Sequence, residues 1–339
     1  MENERLINSE AKLEDFKTEI SLRPKTFSEY VGQGKVKQTL SIAIKAAKKR
    51  QESLDHVLLY GPPVLGKTTL ANVIANEMGT DIKVTSGPAI EKAGDLVSIL
   101  TRLQKNDVLF IDEIHRLNKI SEEVLYSAME EYRVSWIIDE GLKARSVNLG
   151  IQPFTLIGAT TKYGTLSPPL RDRFGSIFRL DLYNDAEMTD ILHRSSDIFK
   201  MKTEKKGLDQ IAKRSRKTPR IGNRLLRRVR DYSEVKSDGS ISLKVVLDAL
   251  AQLEVDDIGL DKIDIDYLQS LILKFGGGPV GLDTLSASIN EDSGTVEDVI
   301  EPFLLNLGFI SRTNRGRTAT SLAFKHLGIE EEPKQKNLI

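Results

Sequence analysis

The stretch from His56 to Leu70 constrains this chain more than any other. Val57 to Tyr60 form an apolar run of strand length, and Thr68 onward carries helical spacing. Between them Gly61, Gly66, Lys67 and Thr68 fit G-x-x-x-x-G-K-[ST]. In this order the loop turns successive backbone N–H groups around phosphate oxygens, and the helix N-terminus adds its positive end. Lys67 then reaches the β- and γ-phosphates, and the Thr68 hydroxyl becomes a ligand for Mg2+. Val64 stands where glycine is usual in the G-P-P-G-x-G-K-T form of the loop. If the loop keeps its shape, a β-branched residue is forced to φ > 0, a steric outlier. The expectation is weaker nucleotide binding or slower turnover on an intact fold.

A chain of 339 residues buries a sizeable core and suggests two or three domains. Lys+Arg and Asp+Glu both number 49, so any surface for an anionic polymer must come from local clustering. There is no cysteine, which excludes disulfides, thiolate metal sites and a cysteine nucleophile and fits a reducing cytoplasm. No apolar run is long enough to cross a membrane as a helix. The four histidines, His56, His115, His193 and His326, have no metal-ligand spacing.

Residues 1–18 read as a mobile acidic arm, and a connector from Leu22 to Tyr30 leads into an amphipathic helix over about 35–50. Val108 to Ile111 form a second apolar run, which ends in Asp112 and Glu113. Apolar runs of this kind belong to parallel strands buried on both faces, whose C-terminal ends bind ligands. There Asp112 would hold Mg2+ and Glu113 would act as general base for an attacking water. Phe154 to Thr161 form a third such strand and end in hydroxyls. Between these two runs, Val134–Ile138 and Ala144–Leu149 read as a β-hairpin about an Asp139-Glu-Gly141 turn. It displays Trp136, Ile137 and Ile138 either to a partner or to the body of the domain. Arg171 and Arg173 flank Asp172, as a surface ion pair or as an arginine inserted into a neighbouring subunit.

The pattern then turns helical over 185–199, 208–215, 219–233 and 242–253. Pro219 takes the first helical position, which puts Arg220 in the first turn, where it can reach an anion. From about Val255 the spacing predicts helices over 265–274, 282–289 and 296–307, then a hairpin about Asn314-Arg-Gly316. Three helices and a basic hairpin suggest a winged helix. The second helix of its reading pair carries Glu297, Asp298 and Glu301, which would repel phosphates. The wing carries Arg312, Arg315 and Arg317. Wing contacts to the DNA backbone with little base reading are therefore expected, with a protein-binding winged helix as the alternative. Residues from Glu330 read as a charged tail.

Together these motifs resemble the AAA+ motors. Leu22-Arg-Pro-Lys25, Asp112-Glu-Ile-His-Arg-Leu117, Phe154-Thr-Leu-Ile-Gly-Ala-Thr-Thr161, Thr218-Pro-Arg-Ile-Gly-Asn-Arg-Leu-Leu-Arg-Arg228 and Arg312-Thr-Asn-Arg-Gly-Arg317 are similar to the family that drives branch migration at Holliday junctions. The resemblance implies an α/β AAA+ P-loop ATPase domain over 1–183 and a helical lid domain over 184–255. A C-terminal winged-helix domain over 256–329 and a tail over 330–339 would complete the chain. It implies a homohexameric ring on duplex DNA that hydrolyses ATP with Mg2+ beside the junction-binding protein RuvA. Leu22 and Arg23 would cover the adenine side, with Tyr183 and Pro219 closing over it. Gly61, Val64, Gly66, Lys67, Thr68 and Thr69 would hold phosphates and Mg2+. Thr161 and Arg220 would sense the γ-phosphate. Arg173 would be the finger given to the adjacent subunit, with Glu130, Glu131 and Tyr132 near that interface. The Trp136 hairpin would dock RuvA, and Arg312 and Arg317 would touch the DNA backbone. Two other readings fit the same motifs: a clamp-loader-like ATPase, and a DNA-binding scaffold whose hydrolysis Val64 has impaired.

Overall fold

A computed structural model describes residues 22–138 and 145–331. The side chains of 136–138 and 145–147 also lie outside the described set. The arm over 1–18, the Asp139-Glu-Gly141 turn and most of the tail lie outside the described residues.

The apolar runs become the centre of a parallel sheet. Its strands are β1 (Val57–Tyr60), β2 (Ile82–Ser86), β3 (Val108–Asp112), β6 (Thr155–Thr160) and β7 (Ser176–Arg179). The order across the sheet is β2-β3-β6-β1-β7, every neighbour parallel. Every residue of β6 and the first four of β3 are buried, whereas β2 and β7, at the two edges, are partly exposed. Burial of each Leu, Ile or Phe of the inner strands stabilises the fold by about 1.5–3 kcal/mol. The order also sets the site. Because β6 lies between β1 and β3, its last threonines fall between the loop after β1 and the carboxylates that end β3.

Two further strands, β4 (Arg133–Ile138) and β5 (Arg145–Gly150), form the antiparallel pair that the two short segments predict. Val134 pairs with Leu149 and Trp136 with Val147. Whether Trp136, Ile137 and Ile138 face a partner falls outside the described side chains.

The chain divides into two compact units. One comprises Thr18–Ile191 with Thr218–Arg220 and holds the parallel sheet. Among its described residues the other comprises Leu192–Lys217 with residues 221–331. In that second unit the helices Lys205–Lys213 and Leu243–Gln252 and the body of Pro219–Lys236 bury Leu208, Ile211, Leu226, Val229, Val246 and Leu250. A separate core, including Tyr267, Leu268, Leu285, Val296, Leu304 and Phe324, belongs to the C-terminal helices and the antiparallel pair β8 (Ile310–Thr313) and β9 (Gly316–Ala319). Buried Arg216 joins these two parts by donating to Asp264 and to the Gly259 carbonyl, and it lies over the Phe303 ring. Burial pushes the Asp264 carboxyl up to about 7 against the pull of Arg216.

Two of the predicted helices differ in kind. The first runs as Lys262–Gln269 and then widens into a π turn at Ser270–Lys274. The segment over 296–307 opens as a π turn, Val296–Ile300, and becomes α-helical only at Glu301–Asn306. Pro302 has no N–H with which to close a bond to Asp298, and the wider turn absorbs that gap. No helix among the described residues is long and apolar enough to cross a membrane.

Candidate active site and wing

The loop after β1 takes the shape its glycines allow. Gly61 has φ 143°, and a Cβ there would lie 2.6 Å from the Leu180 carbonyl oxygen. Gly66, at φ 84°, precedes the helix Lys67–Met78. Val64 does sit at positive φ, 67°, with its side chain at the surface. Left-handed backbone of this kind costs a residue with a Cβ roughly 1–2 kcal/mol relative to glycine.

Lys67 is buried, and its Nζ donates to the carbonyls of Gly61 at 3.1 Å and Pro62 at 2.8 Å. Burial lowers its pKa, while the Asp112 and Glu113 carboxylates pull it back up. The loop cation therefore feels the two acids at the end of β3. Asp112 Oδ1 accepts the Glu113 N–H at 2.9 Å, and Glu113 adopts a left-handed backbone, φ 47°. A strained non-glycine residue at a strand end is often part of a functional site. The Thr161 hydroxyl lies 3.5 Å from Glu113 Oε2. His115 Nδ1 stands 3.3 Å from that oxygen and 2.9 Å from the Thr160 hydroxyl. Burial lowers the His115 pKa, and Glu113 opposes this. Thus Lys67, Asp112, Glu113 and Thr161 converge as the sequence suggested. His115, whose role the sequence did not reveal, joins them.

A second wall is aromatic. Tyr183 is buried, and its hydroxyl donates within reach of the Tyr30 hydroxyl at 3.2 Å and the Leu65 carbonyl at 3.4 Å. Burial pushes both phenols up. Leu22 is buried in the same unit, and Arg23 is partly exposed. The segment that reads as a plain connector therefore supplies Tyr30 directly against the phosphate loop. The only local signal for it was a pair of aromatics, Phe27 and Tyr30, in an otherwise mostly polar stretch. Thr218–Arg220 group with this unit, and Pro219 and Arg220 open the helix Pro219–Lys236.

Arg173 follows the short helix Pro168–Asp172, which the Ser167 side chain caps. Its guanidinium donates to Glu130 Oε2 at 3.1 Å and to the Pro169 carbonyl at 2.7 Å, and it lies 4.6 Å from the Tyr126 ring centroid. Glu131 is exposed, and Tyr132 packs edge-on to Phe154. Of the three residues predicted beside Arg173, Glu130 is the one that touches it, while Tyr126 is an addition. Arg171 lies over a different ring, that of Tyr163, 5.4 Å from its centroid.

On the wing, Glu301 overturns one expectation. It does not face outward beside Glu297 and Asp298: it is fully buried and accepts from Arg312 Nε at 2.7 Å, Arg317 Nε at 2.8 Å and the Tyr267 hydroxyl at 3.0 Å. Burial and the Glu301 charge push the Tyr267 phenol up. Arg315 is exposed at the turn.

Three consecutive family models match the chain. Residues 22–180 match the Holliday junction DNA helicase RuvB P-loop domain, 183–256 the RuvB AAA lid domain, and 257–328 the RuvB C-terminal winged helix domain. The Holliday junction branch migration complex subunit RuvB of Dehalococcoides mccartyi (strain CBDB1) is 55% identical over 336 residues, 99% of this chain and 96% of that protein. The subunit of the same name from Chloroflexus aurantiacus (strain ATCC 29366 / DSM 635 / J-10-fl) is 56% identical over 329 residues, 97% of this chain and 94% of that protein. The solved Thermotoga maritima RuvB Holliday junction branch migration motor superposes with a TM-score of 0.80 at 50% identity, covering 92% of this chain and 100% of that one. The chain belongs to the RuvB family of AAA+ P-loop ATPases.

Proposed function

We propose that this chain is an ATP-hydrolysing DNA motor that drives branch migration of Holliday junctions in recombination and repair. The observation that carries this reading is the convergence of Lys67, Asp112, Glu113 and Thr161 at the C-terminal ends of three adjacent strands. The triphosphate would lie along the loop from Gly61 to Thr69. Lys67 would leave its two carbonyl partners for phosphate oxygens there. The Thr68 hydroxyl and Asp112 carboxylate are hard oxygen donors suited to Mg2+, which would supply charge for the phosphates. Glu113 would accept a proton from the attacking water, with Thr161 placing it. Leu22, Arg23, Tyr183 and Pro219 would enclose the base, and Arg220 would answer to the γ-phosphate.

Arg173 would complete a neighbour's site in a homohexameric ring, leaving its Glu130 pairing to do so. Fingers of this kind are worth about 10³–10⁵ in rate. RuvA is the partner we infer for the Trp136 hairpin, and Arg312, Arg315 and Arg317 form the DNA-facing wing. The functional division follows 1–183, 184–255 and 256–329, and a chain without cysteine suits the cytoplasm. Branch migration of a four-way junction, with and without RuvA, tests this reading. Clamp opening without migration would favour the clamp-loader alternative, and DNA binding without stimulated phosphate release would favour an impaired scaffold.

A further inference from the structure

Arg312 on β8 and Arg317 on β9 stand directly opposite each other across the wing. Like charges at such positions destabilise a hairpin, so something must neutralise them. Two carboxylates do. Buried Glu301 bonds both guanidinia, and Glu297 Oε1 lies 3.3 Å from Arg312 Nη1 and 3.6 Å from Arg317 Nη2. Two cations and two anions leave this cluster neutral. Every guanidinium nitrogen of Arg312 is engaged: Nε and Nη2 with Glu301, Nη2 also with the Glu297 carbonyl, and Nη1 with the Glu297 carboxylate.

The two carboxylates differ in kind. Glu301 has no exposed surface, whereas the Glu297 side chain is 46% exposed and that of Arg312 39%. A phosphate arriving from solvent can therefore replace Glu297 on Arg312, but it cannot reach Glu301. We infer that Glu297 is a built-in competitor for DNA phosphate: it holds Arg312 in trade and keeps the wing's grip on duplex weak enough to release at each step. Glu301 is the fixed positioning residue that aims both arginines. Arg317, with its side chain only 16% exposed, offers a phosphate less of itself than Arg312 does. Arg315 at the turn is the charge outside this cluster. This inference rests on the reading of the wing as the DNA-facing surface.

The test is duplex binding by the full chain over a salt series. It uses a short mixed-sequence duplex and the variants Glu297→Gln, Arg315→Ala and Arg312→Ala, with Glu297→Gln also placed on Arg312→Ala. Arg315→Ala should weaken binding and flatten the slope of log K against log salt by about 0.9, the value of one phosphate contact. Glu297→Gln should tighten binding at least threefold at low salt and steepen that slope by a similar amount. Its gain should vanish on the Arg312→Ala background, because the trade is with Arg312. Unchanged or weaker binding by Glu297→Gln, or an equal gain without Arg312, overturns the competitor role. If Arg315→Ala leaves both affinity and slope untouched, the wing reading itself falls.

Discussion

Arg173 and Glu130 are joined within one chain, Nη2 to Oε2 at 3.1 Å, with the guanidinium resting on the Tyr126 ring. In the proposed ring, the arginine offered to a neighbour would thus rest on its own subunit, held by Glu130, the Pro169 carbonyl and the Tyr126 ring, of which the partly exposed ion pair is worth little, about 0–1 kcal/mol.

A shared site has a complementation signature. Arg173→Ala keeps its own phosphate loop but gives no finger, and Glu113→Gln keeps the finger but has no base. Each variant alone should lose hydrolysis by 10²-fold or more. Mixing the two should restore measurable phosphate release, because some interfaces then pair an intact base with an intact finger. No recovery on mixing would count against a site built from two subunits.

Val64 offers a second check. Relief of its left-handed strain should stabilise the loop by roughly 1–2 kcal/mol. Where nucleotide holds the loop in this backbone and the free loop relaxes from it, Val64→Gly should bind nucleotide about fivefold tighter or more in a fluorescent-nucleotide titration, with the helix that follows unchanged. Equal affinity for the two proteins would show that the loop bears Val64 without penalty.

The sequence displayed the inner sheet because β1, β3 and β6 are short apolar runs, each leading at its C-terminal end into candidate site residues. Lys67, Asp112, Glu113 and Thr161 were legible for that reason. Tyr30 was not, because its partner Tyr183 lies 153 residues away and no local pattern links two buried phenols. Glu301 was misread for a related reason. In a helical segment it looks like an exposed acid, and only the fold brings Arg312 and Arg317 back over it. The π turns escaped as well, since a sequence period cannot distinguish a wide turn from an ordinary one.

His56 gives the fold a defined response to acid. Its Nδ1 accepts the Leu156 N–H at 2.9 Å, which leaves Nε2–H to donate to the Met129 carbonyl at 3.2 Å. Burial lowers its pKa, so the folded state binds a proton less readily than the unfolded state. This stabilising contribution is complete above the unfolded value, about 6.5, and is lost as pH falls toward the folded one. Through His56 the urea midpoint of the unit that holds the parallel sheet should drop between pH 7.5 and 5.5, while Asp264, in the other unit, works in the opposite direction. His56→Asn keeps an acceptor for Leu156 and cannot be protonated, so its midpoint should drop less. Identical pH dependence in the two proteins would remove His56 from the account.

In the proposed motor Glu113, beside Thr161 and within the field of Lys67, makes ATP hydrolysis available to move DNA. The most direct measurement of this role is migration of a synthetic four-way junction by the full chain with RuvA, ATP and Mg2+, beside Glu113→Gln under the same conditions. ATP-dependent migration is expected of the natural chain, and none of Glu113→Gln despite retained nucleotide and DNA binding. Migration by Glu113→Gln at the natural rate would contradict this role.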